Sequence, residues 1–435
     1  MEPLFLAVIC GCNAGLFREA LHEVYVPRIQ RGNSFFAANV LGARGPLLSV
    51  LVHFFENGRW GSLAENCSEE QSLTAEDQLF LLMQAGLYLT ATRGLGAPEA
   101  RICYERAESL CNSLNRPVLL YVALMGQWRY SLMNDTLTAT MQIAKRVHSL
   151  AQEQNESALL IGAYPALAGT LYFSGDFEAA RDCAIRGVKI WRSGSARSHE
   201  EFLDGPAVVC LCYEALCQWQ FGEVAFCHAN MAEAISLAKE LNDMHGLAQA
   251  LYFAGGLAHY ERNPAEVERL ASELIELSTR QNFAHFVPGA FILRGWARSA
   301  SGNTAEGIPW IEHGIKDLRA TGATLTLPYF LGLKAEALHP ADRASEALEA
   351  IKEAENVVER SEERWWCAEL HRLRGVFLTL MGAKEAQIKA SFGEAIRIAK
   401  EQKSVSLAKR AEATYAEYRR QKTRASEGRG FRLPL

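Results

Sequence analysis

From about residue 75 onward, apolar positions recur three and four apart over stretches of roughly four helical turns. Each such stretch runs into a short polar break and then a second helix with charges along one face. The breaks fall at Gly175-Asp176, Gly222-Glu223, Asn263-Pro264, Gly302-Asn303, Asp342-Arg343 and Gly382-Ala383, so their first residues lie 47, 41, 39, 40 and 40 apart. This predicts a helix–turn–helix unit repeated about every forty residues. Upstream, helices are predicted over 75–92, 98–113, 116–133 and 136–154, and another over 15–30. SVLVHFFENGRWGS is read as a helix ending at Gly58 and followed by a polar loop; 193–205 is a second loop, which accounts for the one long spacing. Helix 404–421 has no helix after it and reads as a terminal cap. Sustained alternation of apolar and polar residues is absent, so the expected class is all-α.

Small residues give the repeat an internal grammar. Seven positions before each break stand Ala168, Ala215, Gly256, Gly295, Ala335 and Gly375. Five positions after it, four of the six repeats carry Ala180, Cys227, Gly307 and Ala347, while Glu268 and Gln387 depart from the pattern. Small side chains at these two places let paired helices cross closely; a bulky one overpacks at about 1–3 kcal/mol. This pattern resembles the tetratricopeptide repeat, lengthened from its usual 34 residues by longer helices. The resemblance implies a right-handed α-solenoid with a period of about 40 residues. The expected organisation is an irregular helical segment over 1–74, the repeat array with its cap over 75–421, and a basic disordered tail over 422–435.

Composition narrows the chemistry. The 435 residues are 49% hydrophobic and carry a formal net charge of −5, which provides no electrostatic reason to expect nucleic acid. The exception is the tail, with Arg419, Arg420, Lys422, Arg424, Arg429 and Arg432. The 11 cysteines are odd in number and several lie in apolar helical runs, as reduced thiols of a cytoplasmic protein would. MEPLFLAVICGC lacks the basic start of a signal peptide and is read as a packed helix. No apolar run reaches the ~18 residues of a membrane span, so no membrane partner is expected.

Catalytic signatures are missing. There is no phosphate-binding GxxxxGK[ST], no HExxH and no GxSxG. ERWWCAELHRLRG, 363–375, puts Cys367 and His371 four apart, a spacing that could hold a metal on one helix face. The chain offers no second ligand pair to match it, so a metal-dependent enzyme built on these two is the least favoured reading, and no cofactor is expected. Trp365, Trp366, Leu370 and Leu373 are assigned to packing between neighbouring repeats. On the first helices, Tyr172, Trp219, Phe253, Tyr260, Trp296, Glu369 and Arg372 fall at positions that line the concave side of such an array. They are the expected partner-binding residues of an apolar-aromatic groove, with Arg372 facing the partner. The same groove would suit a small apolar or aromatic ligand.

Four segments carry a more specific resemblance: LGAPEARICYERAESLCNSL (95–114), DGPAVVCLCYEALCQWQFGE (204–223), 292–331 and SEERWWCAELHRLRG (361–375). Together they are similar to the C-terminal repeat region of bacterial signalling proteins that carry a class III adenylate/guanylate cyclase domain and an AAA/STAND-type ATPase. The likeness spans roughly 75–420. It implies a sensor or scaffold role and a protein partner such as an AAA/STAND ATPase or a nucleotide cyclase. None of the catalytic residues of those domains has a counterpart here.

Overall fold

The computed structural model describes residues 1–32, 35–39, 41–65, 67–194 and 205–425. It is an all-α solenoid of tetratricopeptide-like helix pairs, and among the described residues the extended structure is one isolated antiparallel bridge, Phe55 to Leu63. Two compact units divide after Tyr130. That boundary lies well beyond residue 74, because the helix at Ala75–Arg93 packs on Arg44–Leu51 as well as on its sequence partner.

The first unit, Met1–Tyr130, holds α1 (Glu2–Asn13), α2 (Phe17–Glu19), α3 (Phe36–Asn39), α4 (Arg44–Leu51), α5 (Ala75–Arg93), α6 (Pro98–Ser113) and most of α7 (Pro117–Asn134). The helix expected over 15–30 is present, but from Ala20 to Gln30 it is a wide π-helix containing Pro27. The helix ahead of Gly58 stops early, at Leu51, and the chain goes on through two 3-10 turns. α5 starts on a capping box: Thr74 accepts from Asp77 N at 3.2 Å, and Thr74 N donates to Asp77 Oδ2 at 3.0 Å.

The second unit, from Ser131, continues with α8 (Leu137–Gln154), α9 (Ser157–Ser174), α10 (Phe177–Arg192), α11 (Pro206–Gln220), α12 (Val224–Glu240), α13 (Met244–Tyr260) and α14 (Pro264–Gln281). Then come α15 (Val287–Ala300), α16 (Thr304–Ala320), α17 (Leu327–Leu338), α18 (Ala344–Ser361), α19 (Cys367–Leu380), α20 (Glu385–Glu401) and α21 (Val405–Ala425). Helix α21 runs past 421 into the segment expected to be tail; 426–435, like most of the loop expected over 193–205, lies outside the described residues. Helix α9 is long and apolar enough to cross a membrane, yet 67% of it is buried inside this unit.

The six breaks share one backbone solution. Gly175, Gly222, Arg262, Gly302, Asp342 and Gly382 all have positive φ. The next residue donates its N–H to the carbonyl five positions before it: Asp176 to Leu171, Glu223 to Gln218, Asn263 to Ala258, Asn303 to Arg298, Arg343 to Leu338 and Ala383 to Leu378, at 2.9–3.2 Å. This Schellman closure satisfies the last carbonyls of the first helix, while Asp176, Asn263 and Asn303 cap the N–H groups of the second. The left-handed residues are spaced 47, 40, 40, 40 and 40, so the third break is Arg262 and not Asn263. Its close-contact residue is accordingly Gly255, and the side chain at the groove position is His259 where Tyr260 was expected.

The small-residue grammar has a direct steric cause. A Cβ on Gly295 would lie 2.6 Å from Gly307 O, and one on Gly307 would lie 2.3 Å from Gly295 O. The paired helices touch there backbone to backbone. Gly295→Ala is therefore expected to lower the unfolding free energy by about 1–3 kcal/mol in urea melts. Gly393→Ala, on the open face of α20 with nothing within 4 Å, should raise it by about 0.5–1 kcal/mol.

Candidate functional site

The first helices of the repeats bring an unusual set of side chains to the axis of the second unit. The repeat path returns on itself there. Ser404 Oγ meets Gln220, Ser406 Oγ meets the Trp219 carbonyl and Thr324 Oγ1 meets the Met133 carbonyl, pairs that lie 184–191 positions apart. Phe173 O accepts the backbone N–H groups of Arg364 at 2.8 Å and Trp365 at 3.2 Å.

Aromatic rings fill the axis between these latches. Trp365 lies 5.5 Å from Tyr172 and 5.2 Å from Tyr329; Trp366 lies 4.9 Å from Tyr260; Trp219 lies 4.9 Å from Tyr260. Tyr172, Trp219, Phe253, Tyr260 and Trp296 are all buried here. Over these residues the expected open groove is a packed interior. Trp365 and Trp366 both pack on Tyr329 of the neighbouring repeat, as expected, and Trp365 in addition bridges to Tyr172 and Phe173 on a helix almost two hundred positions away. Repeat spacing sets the contacts of each pair with the next; it does not reveal how many pairs complete a turn.

A charged cluster continues from the rings. Glu369 accepts from Arg262 Nη2 at 2.9 Å, from Arg372 Nη2 and Nε at 2.8 and 2.9 Å, and from Arg410 Nη1 at 3.4 Å. Burial alone would raise this carboxyl, but the Arg372, Arg410 and Arg262 guanidiniums hold it at about 2. Glu336 Oε2 accepts from Trp296 Nε1 at 2.8 Å and from Arg262 Nη1. His259 sits between Glu336 and Tyr329, with Nε2 3.3 Å from Glu336 Oε2 and Nδ1 2.9 Å from the Tyr329 hydroxyl. Burial lowers its pKa against the pull of Glu336 and so favours the neutral ring. A carboxylate can only accept, which puts the proton on Nε2 and makes Nδ1 the acceptor of the Tyr329 O–H. Arg372 does not face a partner: its side chain is 0% exposed and spans Glu369 and Thr414 Oγ1. The cations that reach the surface are Arg262, 26% exposed, and Arg410, 19% exposed; Arg410 also donates to the Tyr260 carbonyl. His259, Arg262, Glu336 and Arg410 were missed in the sequence, although forty-residue spacing of the left-handed turns would have picked out both His259 and Arg262.

A third buried carboxylate, Glu363, joins the two loops that latch the axis. It accepts from Thr326 N at 3.1 and 3.2 Å and from Trp365 Nε1 at 2.6 Å. Burial pushes it up to about 7, against the pull of those donors. Its folded-state pKa therefore lies above its unfolded value near 4.5, and the folded protein holds the proton more tightly. Stability from this group is full below about 4.5 and is lost as pH rises to about 7. Glu363→Gln, with its amide oxygen in the place of Oε1, retains both donors. The variant's stability relative to the parent is expected to rise by about 3 kcal/mol between pH 4.5 and 8, read as a difference of urea melts.

Cys367 and His371 take different partners. Cys367 is buried, donates to the Glu363 carbonyl at 3.6 Å and has its thiol pushed up to about 12 by burial. His371 faces Glu355 at 3.7 Å. Among the described residues no group of three or more His, Cys, Asp or Glu side chains is placed to hold a metal ion.

No family model matches the chain. It is 25% identical over 345 residues to an uncharacterized protein of Rhizobium meliloti (strain 1021), covering 78% of this chain and 33% of the relative. The chain thus spans about a third of the length of the curated relative it matches. Among solved structures it is similar to a Rap protein complexed with competence and sporulation factor, with TM-score 0.55, 12% identity, and coverage of 84% of this chain and 99% of that one. It is also similar to a human IFIT1 dimer with m7Gppp-AAAA, at TM-score 0.47 and 13% identity over 90% and 81% of the two chains. The likeness to the Rap protein establishes a tetratricopeptide-like helical-repeat fold.

Proposed function

We propose that this chain is a non-catalytic interaction scaffold whose second unit engages a protein or peptide partner and changes curvature as it does so. The observation that carries this reading is the closure of the axis. A few polar latches, Met133 to Thr324, Phe173 to Arg364 and Gln220 to Ser404, join pairs distant in sequence, so opening or tightening them alters every stacked repeat together. The Rap protein of similar fold is known here in complex with competence and sporulation factor, which fits a binding role. The sequence likeness to cyclase–ATPase regulators supports an AAA/STAND ATPase or nucleotide cyclase as the partner, and the longer Rhizobium relative leaves room for such a domain in one chain. The test is cross-linking capture from a bacterial host that carries the gene, followed by mass spectrometry. Recovery of an ATPase or cyclase is expected; recovery of no specific protein at any ionic strength overturns the scaffold reading.

A further inference from the structure

Away from the axis, His245 and His285 turn ring nitrogens toward each other. Nε2 of one lies 3.2 Å from Nε2 of the other, and the ring centres are 5.1 Å apart with planes inclined at 32°. The two residues stand 40 positions apart, the spacing of the repeat, so they hold matching places in consecutive units. His245 lies in the first turn of α13, and His285 lies in the loop just ahead of α15. Both are half-buried, within reach of solvent. Neighbouring rings fix their orientation. Phe283 meets His245 edge-on at 5.1 Å, and the buried Phe286 packs on both, 5.3 Å from His245 and 4.1 Å from His285. Asp243 caps α13 through Gly246 N and also accepts from Gly205 N, each at 2.8 Å, which steadies the turn that carries His245.

The spacing is that of two ligands on one ion. A tetrahedral Zn²⁺ with Zn–N bonds of about 2.0–2.1 Å sets two imidazole nitrogens about 3.3–3.4 Å apart. A straight N–H···N bond of the observed length would put the ring centres about 5.5 Å apart. At 5.1 Å the rings are instead bent toward a common point to one side of the line between the nitrogens. Imidazole suits zinc, copper and nickel, whereas magnesium and calcium take oxygen ligands.

We propose that His245 and His285 bind one divalent transition-metal ion, Zn²⁺ foremost, through both Nε2 atoms, as a staple between two consecutive repeats. In the N–H···N bond one Nε2 donates to the other. For both to ligate, the donor ring carries its proton on Nδ1 instead, a change of tautomer that releases no proton. Two imidazoles fall short of the three or four protein ligands of a zinc site closed by the protein, so water fills the remaining positions and the ion is held exchangeably. Bound there, it ties the start of α13 to the start of α15 and fixes the angle between their repeats. The site stands independently of the scaffold reading.

The experiment titrates the full chain, freed of metal with a chelator, with zinc chloride at constant ionic strength. Calorimetry reads the affinity, and the melting temperature is followed alongside. A saturable site and a raised melting temperature are expected, with Cu²⁺ bound more tightly and Mg²⁺ unable to displace the zinc. His245→Ala and His285→Ala should each weaken binding at least about 10-fold. His228→Ala, at an exposed pair with Glu261, should leave it unchanged. Where either variant at the pair melts early, the parent protein decides by itself: the electron paramagnetic resonance spectrum of its Cu²⁺ complex should show coupling to two imidazole nitrogens. Absence of a saturable site, undiminished binding by both variants, or coupling to fewer than two nitrogens overturns the assignment and leaves the pair as an N–H···N hydrogen bond only.

Discussion

Glu369→Gln is expected to lower the unfolding free energy of the second unit by about 3 kcal/mol, the low end of the ~3–5 kcal/mol typical of breaking a buried ion pair. The low end applies because two of the three arginines it serves, Arg262 and Arg410, reach solvent and can be screened. Arg372 cannot: with its side chain 0% exposed, it would retain Thr414 Oγ1 and a neutral amide as partners. The measurement is urea unfolding followed by tryptophan fluorescence. Glu394→Gln, at an exposed pair with Arg397, should change stability by less than about 1 kcal/mol in the same assay. The variant has a pH signature as well. A carboxyl held at about 2 when folded and near 4.5 when unfolded contributes stability above 4.5 that fades as pH falls toward 2. The parent should lose that increment in acid, and Glu369→Gln should have none to lose. A loss below about 1 kcal/mol at neutral pH would mean that the cluster does not brace the axis.

The pairing of helices was legible in the sequence because it is set by neighbours. Ala168, Ala215, Gly295, Ala335 and Gly375 mark the close crossings, and turn residues mark the closures. The register failed by one place at the third repeat. Asn263-Pro264 is the stronger turn signal by composition, since Asn and Pro are common turn residues and arginine is rare at positive φ. Yet Arg262 takes the left-handed position at φ 59°, held there by Glu336 and Glu369. A tertiary ion pair overrides the local preference, and that one-residue shift hid His259. The axial site was less legible for a different reason. Tyr172 can be recognised singly as a groove residue and Trp365 as a packing residue, but their meeting depends on the rotation accumulated over about five repeats. Small errors in each pair's crossing angle add along the array, so no local pattern announces the closure. The resemblance pointed to a binding role without indicating that the face expected to bind would be packed with the chain's own side chains.

Trp366→Ala is the second large effect, expected at about 3–5 kcal/mol. Trp366 is 1% exposed, and its ring meets Tyr260 at 4.9 Å, Tyr329 at 5.2 Å, Trp365 at 5.2 Å and His259 at 6.0 Å. Truncation removes the largest fully buried side chain of the unit and leaves a cavity that rigid first helices on several sides cannot collapse to fill. No hydrogen bond is lost with it, since its Nε1 has no partner among the described residues. The cost is therefore one of packing, and Trp366→Phe, which retains most of the ring, should cost less than about 1.5 kcal/mol. Trp310, on the outer helix α16 and packed against Phe291 and Arg294 of α15, is a suitable contrast, and Trp310→Ala should cost clearly less. The ring also sits directly after the N–H groups of Arg364 and Trp365 that latch onto Phe173 O. If the aromatic axis holds the latches shut, Trp366→Ala should speed hydrogen exchange in peptides covering 362–367 far more than in those covering 385–401, whereas uniform acceleration across the unit would show that the latches close independently of the axis.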